Sequence, residues 1–235
     1  MFSIAEEGGM RGVKNADFSK LDAKEALVFD SSGDVGKVIT SAPGQVKFNA
    51  VVTGKSAPAG VAPETGINAI QAAAAGVAAM KLLRIDEETT ANIATFKAEY
   101  ATNIVPEKAV IYGEVRSRSI DKLNAQAAHM KQCMEEACAK FGAQLHLDMD
   151  TAYLAYSIAD DDPLVRKVCA ALETIGVKPQ ISASGGGSDS NVMNHSGRKA
   201  LVLGTGMDKV HTTAEQITVE NLNNTAKLRL ALMTN

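Results

Sequence analysis

Gln45-Val46-Lys47-Phe48-Asn49-Ala50-Val51-Val52 alternates along its length, with Val46, Phe48, Ala50 and Val52 interleaved with Gln45, Lys47, Asn49 and Val51. Successive side chains of a strand point to opposite faces, so this period of two predicts a strand with one buried face. The glycines and proline of Gly54-Lys55-Ser56-Ala57-Pro58-Ala59-Gly60 predict a loop after it. An Ala-rich helix is expected over 67–83, with Gly76 as a point of close packing, and a short strand over 93–97. Residues 109–118 alternate again. Residues 121–141 carry Leu123, Ala127, Met130, Met134, Ala137 and Phe141 at helical spacing and end at Gly142. Leu145, Leu147 and Met149 alternate once more. The order strand, helix, strand, strand, helix, strand is that of a ferredoxin-like sandwich. Such a fold leaves one face of an antiparallel sheet open unless something covers it.

Outside this stretch the style changes. Asp160-Asp161-Asp162-Pro163 predicts the start of a helix running to 175, because carboxylates favour the positive helix end and proline fits the first turn. A strand over 181–184, a glycine loop over 185–188, a short helix over 189–194, a buried strand over 200–203 and an amphipathic helix over 219–233 follow. Strands alternating with helices indicate an α/β layer. Residues 1–43 read the same way: Phe2-Ser3-Ile4-Ala5 as a short apolar strand and Ala26-Leu27-Val28-Phe29 as a second apolar run. The expected organisation is an α/β domain in two segments, 1–43 and 153–235, with an α+β ferredoxin-like domain over 44–152 inserted between them.

Composition narrows the function. Hydrophobic residues make up 46% and charged residues 22% of 235, and the net charge is −3. No basic block or aromatic-basic stripe occurs, so neither nucleic acid nor an anionic membrane is an expected partner. The stretch from 69 to 80 falls short of the roughly 20 apolar residues of a membrane span. Tryptophan is absent and aromatics are 4%, so the core must come from Ala, Val, Ile, Leu and Met. Cys133, Cys138 and Cys169 form no C-x-x-C pair, which suits buried thiols in a reducing compartment. With no signal-peptide pattern at Met1, the expected location is cytoplasmic.

The chemistry concentrates at the two ends of the chain. Glu6 and Glu7 close the first apolar run and precede Gly8-Gly9, and α/β folds place ligands at the carboxyl ends of strands. Neighbouring carboxylates are as a rule solvated surface. In this context they can divide labour, one holding a metal and the other taking a proton from water. Asp30 ends the second apolar run, although an Asp leading into Ser31-Ser32-Gly33 is more often a turn cap. His211 is one of four histidines and alone follows a buried strand directly, a usual place for a metal ligand. The loop Gly185-Gly186-Gly187-Ser188 lacks the Lys-Ser/Thr of a P-loop, but amides at a helix start can bind an anion. Arg116 leaves a strand end, either as a surface residue or as a bidentate carboxylate clamp.

In order, Ser3-Ile4-Ala5-Glu6-Glu7-Gly8, the stretch from Gly54 through Ser56-Ala57-Pro58-Ala59-Gly60 to Gly66, Thr102-Asn103-Ile104-Val105-Pro106, Gly113-Glu114-Val115-Arg116-Ser117, Ser184-Gly185-Gly186-Gly187-Ser188-Asp189-Ser190-Asn191 and Val210-His211-Thr212-Thr213 resemble the peptidase T-like (tripeptide aminopeptidase) branch of the di-zinc family that includes aminoacylase and the glutamate carboxypeptidases. The resemblance covers essentially the whole chain and implies that it corresponds to the family's C-terminal two-thirds. It implies Glu6 as general base; Glu7, Asp30 and His211 as zinc ligands; and Asn103, Arg116, Gly186, Gly187 and Ser188 as substrate-binding positions. It further implies a short peptide substrate, an incomplete α/β catalytic domain and an inserted lid that forms a homodimer through its sheet edge and helix. Two departures accompany it. The family's His-x-Asp pair and bridging Asp would precede Glu6-Glu7 and are not among these residues. Pro58 stands where the lid motif normally has a histidine that stabilises the oxyanion. The isolated chain is therefore expected to be inactive, and a non-enzymatic dimerising or binding module is the alternative.

Overall fold

The computed structural model describes residues 1–234. In chain order its elements are α1 (Arg11–Lys14), β1 (Glu25–Ser32), β2 (Lys37–Ala42), β3 (Gly44–Thr53), β4 (Ala57–Pro58), α2 (Ala69–Ala79), β5 (Leu83–Arg84), β6 (Thr89–Lys97), β7 (Ile104–Val105) and β8 (Lys108–Ser117). There follow α3 (Ile120–Phe141), β9 (Gln144–Tyr153), β10 (Tyr156–Ser157), α4 (Pro163–Thr174), β11 (Gln180–Ala183), α5 (Asp189–His195), β12 (Lys199–Asp208), β13 (Gln216–Ile217) and α6 (Val219–Thr234). The chain divides into two compact units, one of residues 1–43 and 154–235, the other of residues 44–153.

In the 44–153 unit the strands lie in the order β5-β6-β8-β3-β9, with every neighbouring pair antiparallel. Phe48 in β3 sits opposite Gly113 on one side and Met149 on the other. The alternation is real: Val46, Phe48, Ala50 and Val52 are buried under α2 and α3, while Lys47 and Tyr112 lie on the solvent face. Each fully buried large side chain here, such as Phe48, Ile111, Met130 or Met134, stabilises the unit by about 1.5–3 kcal/mol relative to exposure. Small residues let the two helices approach. A β-carbon on Gly76 would stand 2.5 Å from the sulfur of Met134. Strand β6 begins at Thr89, four residues before the apolar signal at Ile93, because a buried Thr89–Ser117 hydroxyl pair at 2.9 Å extends the ladder. The expected loop contains a two-residue ladder, with Ala57 opposite Val105 and Pro58 opposite Ile104. Proline tolerates such an edge position because the bond it cannot donate is not required there.

In the other unit β1 runs parallel to β12, β12 antiparallel to β2, and β2 also pairs with β11 and β10. Val38, Leu201 and Leu203 of the sheet pack with Leu164, Val165, Val168 and Leu172 of α4 and Leu228 of α6. Strand β2 carries no alternation because Val38, Ile39 and Thr40 are all buried, the pattern of a strand covered on both faces. Asp162 caps α4 by accepting the Leu164 amide at 2.9 Å. Phe2-Ser3-Ile4-Ala5 is not a strand. Its backbone has no strand partner among the described residues, Phe2 and Ile4 are exposed, and Ala5 turns to a φ of 54°. Apolar composition alone does not make a strand where no neighbouring strand satisfies its backbone. Cys133 and Cys138 are buried, Cys169 is partly buried, and none is in a disulfide. Among the described residues no helix is long and apolar enough to cross a membrane.

Candidate functional site

Because β1 and β12 are parallel neighbours, their carboxyl ends lie at one edge of the sheet. That edge carries Asp30 from β1 and the loop after β12 that holds His211. Helix α5 packs against both strands. The segment bearing Glu6 and Glu7 is tied to α5 by the Ser3 hydroxyl, which donates to the Asp189 carboxylate. It is tied to α1 by the Gly12 amide, which donates to the Ile4 carbonyl at 2.9 Å. A β-carbon on Gly12 would stand 2.4 Å from that carbonyl oxygen, so only glycine permits the approach. The chain then turns sharply, with the Gly9 and Met10 amides both donating to the Glu6 carbonyl.

These constraints bring the two ends of the chain together. His211 Nδ1 lies 3.6 Å from Glu7 Oε2, with both side chains mostly exposed. The His211 backbone has a φ of 64°, and its amide donates to Glu215 at 3.0 Å. The left-handed turn directs the chain back toward Glu7, and histidine is among the residues enriched in that conformation. Glu6 is half-buried and its pKa is pushed up to about 7, first by burial and then by the charges of Asp30, Glu7 and Asp189; His211 opposes the rise. Asp30 keeps an exposed edge, yet the protein packed around it raises its pKa, as do the charges of Asp189 and Glu7. Four carboxylates and one imidazole thus share one electrostatic field with a surplus of negative charge.

Two donors bound to one tetrahedral zinc at ~2.0–2.1 Å would be about 3.4 Å apart. The Glu7–His211 separation of 3.6 Å fits that requirement. Asp30 is not gathered with them: among the described residues no three His, Cys, Asp or Glu side chains are placed to hold a metal together.

The remaining expected positions are distributed differently. Asn103 and Arg116 belong to the 44–153 unit. Asn103 is exposed, and its carbonyl accepts the Ala59 amide at 2.9 Å. Arg116 already has a carboxylate partner, Glu114 of its own strand, with Nε to Oε1 at 2.7 Å and Nη2 to Oε2 at 3.0 Å. In the 185–188 loop the Gly186 amide donates to Ser184 Oγ and the Ser188 amide to Asn191 Oδ1, both at 3.0 Å. Ser188 is buried, caps α5 and shares a hydroxyl bond with Ser190. These groups are committed to the loop's own structure, which leaves fewer amides for an anion than the glycine run suggested.

Two residues with clear roles stood in the sequence only as parts of a motif. Asp189 is 6% exposed; one oxygen accepts Ser3 and the other is buried with no partner. Asn191 is buried and its amide donates to Pro43 at 2.9 Å and Leu154 at 2.7 Å, the last and first residues of this unit on either side of the inserted one. An acid beside a helix start reads as a dipole partner, and nothing local in the sequence signals its burial.

The family model for the M20 peptidase dimerisation domain matches residues 40–142. An uncharacterized protein of Bacillus subtilis, YqjE, is 38% identical over 233 residues, spanning 99% of this chain and 63% of that protein. Aminopeptidase PepT from Bacillus cereus superposes with a TM-score of 0.91 at 41% identity, over 98% of this chain and 62% of that one. A tripeptidase from Staphylococcus aureus superposes with a TM-score of 0.94 at 33% identity, over 98% of this chain and 61% of that one. The chain thus spans about three-fifths of the length of these relatives. The chain thus carries an M20 peptidase dimerisation domain over residues 40–142 and is similar along nearly its whole length to these PepT and tripeptidase structures.

Proposed function

We propose that this chain carries the general base and part of the metal-ligand set of a zinc-dependent exopeptidase that hydrolyses short peptides in the manner of a tripeptide aminopeptidase. The observation that carries the reading is the meeting of Glu7 and His211 at 3.6 Å beside Glu6, from opposite ends of the sequence. Glu7 and His211 would hold one ion, with Asp30 as the ligand on the other side. Bound zinc supplies a Lewis acid for the scissile carbonyl and acidifies water toward a pKa of ~7. Glu6 takes a proton from the attacking water on its carboxylate oxygen as the water oxygen bonds to the carbonyl carbon. As the C–N bond breaks, Glu6 returns that proton to the leaving nitrogen. Arg116, Asn103 and the loop of Gly186, Gly187 and Ser188 are assigned to the peptide. For Arg116 this requires exchanging Glu114 for the substrate carboxylate. The 44–153 unit serves as lid and forms a homodimer.

Residues 1–235 alone are expected not to turn over. Only two ligand side chains converge among the described residues. Pro58 offers neither a side-chain donor nor an amide hydrogen where an oxyanion donor is expected, and loss of one such donor costs ~10²–10³ in turnover. Pro58 also favours the second reading, a non-enzymatic module that keeps the dimerisation domain; that reading requires a folded dimer without stoichiometric zinc. The zinc content of the purified chain decides between them, and tripeptide hydrolysis with added zinc tests the expected inactivity. No turnover is expected. Turnover abolished by Glu6→Gln would refute the inactivity and keep the base; turnover unchanged by Glu6→Gln would remove Glu6 from that role.

A further inference from the structure

The segment 1–9 carries Glu6 and Glu7 but belongs to no helix or strand. Its backbone is left-handed at Ala5, and again just beyond it at Met10, with no ladder behind either turn. Its position therefore rests on individual bonds. One of these runs from the Ser3 hydroxyl to Oδ2 of Asp189 on α5. Asp189 is itself held in a rigid frame. Ser188 and Asn191 form a reciprocal capping box at the start of α5. The Ser190 hydroxyl donates to Tyr156 Oη at 3.1 Å, and the Asn191 amide donates to the carbonyls of Pro43 and Leu154.

A neutral side chain would serve as the acceptor for Ser3. Asparagine has nearly the shape of aspartate and offers an oxygen to the same hydroxyl. Position 189 instead holds a carboxylate that is 6% exposed, and its Oδ1 is buried with no hydrogen-bond partner. Its charge acts on Glu6 and on Asp30, both of them carboxylates. A buried carboxylate that is half satisfied and set among like charges is destabilising, and buried charges are as a rule paired or matched to a metal. Glu7 and His211, whose 3.6 Å spacing suits one zinc, share the same field.

We propose that Asp189 is a positioning residue of the metal site: through Ser3 it fixes the segment that carries Glu7, and its half-satisfied carboxylate favours a bound cation without coordinating it. The inference rests on the proposed zinc site at Glu7 and His211. Partners that orient a metal ligand are worth about 10–100-fold in metal affinity. Stability and metal affinity, which a merely structural residue would move together, then separate. Removing the charge while keeping the oxygen stabilises the metal-free fold and weakens the ion. Removing the Ser3 hydroxyl weakens both.

The test measures zinc affinity of the full chain by competition with a chromophoric chelator, and thermal unfolding of the metal-free chain, both at about pH 8, where carboxylates are ordinarily charged. The variants are Asp189→Asn, Ser3→Ala and Asp160→Asn, the last an exposed acid elsewhere in the same unit. Asp189→Asn is expected to bind zinc at least about tenfold more weakly and to raise the metal-free midpoint by about 2–4 °C. Ser3→Ala is expected to weaken zinc by a similar factor and to lower the midpoint. Asp160→Asn is expected to leave zinc affinity unchanged. Unchanged affinity in Asp189→Asn would overturn the inference, as would a midpoint that falls along with the affinity. An equal loss in Asp160→Asn would assign the effect to net charge and overturn it too. Where Glu7→Gln weakens zinc and Asp189→Asn does not, the zinc site stands and the role of Asp189 falls. Where the parent binds no zinc, or binds it as Glu7→Gln does, the site itself falls and the role of Asp189 with it.

Discussion

At Glu6, burial and three neighbouring carboxylates all oppose ionisation, and only His211 favours it. The folded protein therefore holds its proton up to a pH of about 7, against an ordinary value near 4.5. Below 4.5 both folded and unfolded chains are protonated, and Glu6 costs nothing. Between 4.5 and 7 the unfolded chain binds fewer protons than the folded one, so stability falls as pH rises and levels off above 7. The full shift corresponds to ~3 kcal/mol, and screening by solvent at this half-buried site reduces it to about 1 kcal/mol. Glu6→Gln is thus expected to match the parent in thermal unfolding at pH 4 and to exceed it by about 1 kcal/mol at pH 8. An equal difference at both pH values would remove the charge cluster as its cause. Little of this field can be read from a sequence. The adjacency of Glu6 and Glu7 was visible, but the partners Asp30, Asp189 and His211 come from three other elements, and their convergence depends on a parallel strand pair.

Among the elements, those legible in advance were the ones whose burial alternates or recurs. Strand β3 and helix α3 announce themselves because one face of each meets a core. Strand β2 does not, since both its faces are covered, and the segment from Phe2 to Ala5 misleads, since it pairs with no strand among the described residues. Helix α6 reads as a single amphipathic helix, yet its second apolar stripe is exposed. The short helix α5 owes its position to side-chain bonds more than to apolar contact. Asn191 joins it to the carbonyls of Pro43 and Leu154 at the two chain crossings. Asn191→Ala leaves both carbonyls without that donor and is expected to cost about 2–3 kcal/mol in denaturant unfolding. A loss below about 0.5 kcal/mol would mean that water replaces the amide.

At the scale of the whole molecule the chain divides into two units whose boundaries fall where the hydrophobic pattern changes from a sandwich to an α/β layer. The 44–153 unit uses alanine and methionine where other proteins use aromatics, which suits a chain without tryptophan. The other unit is closed by residues some 200 positions apart, Glu7 and His211, and its candidate metal chemistry depends on that closure. The most direct test is a zinc titration of the purified chain against a chromophoric chelator, with Glu7→Gln and His211→Ala alongside. Both side chains are mostly exposed, so the substitutions leave the fold in place. If the two ends of the chain share one ion, zinc binds weakly to the parent and each variant loses at least about tenfold in affinity. Equal affinity in the parent and both variants would contradict the shared site.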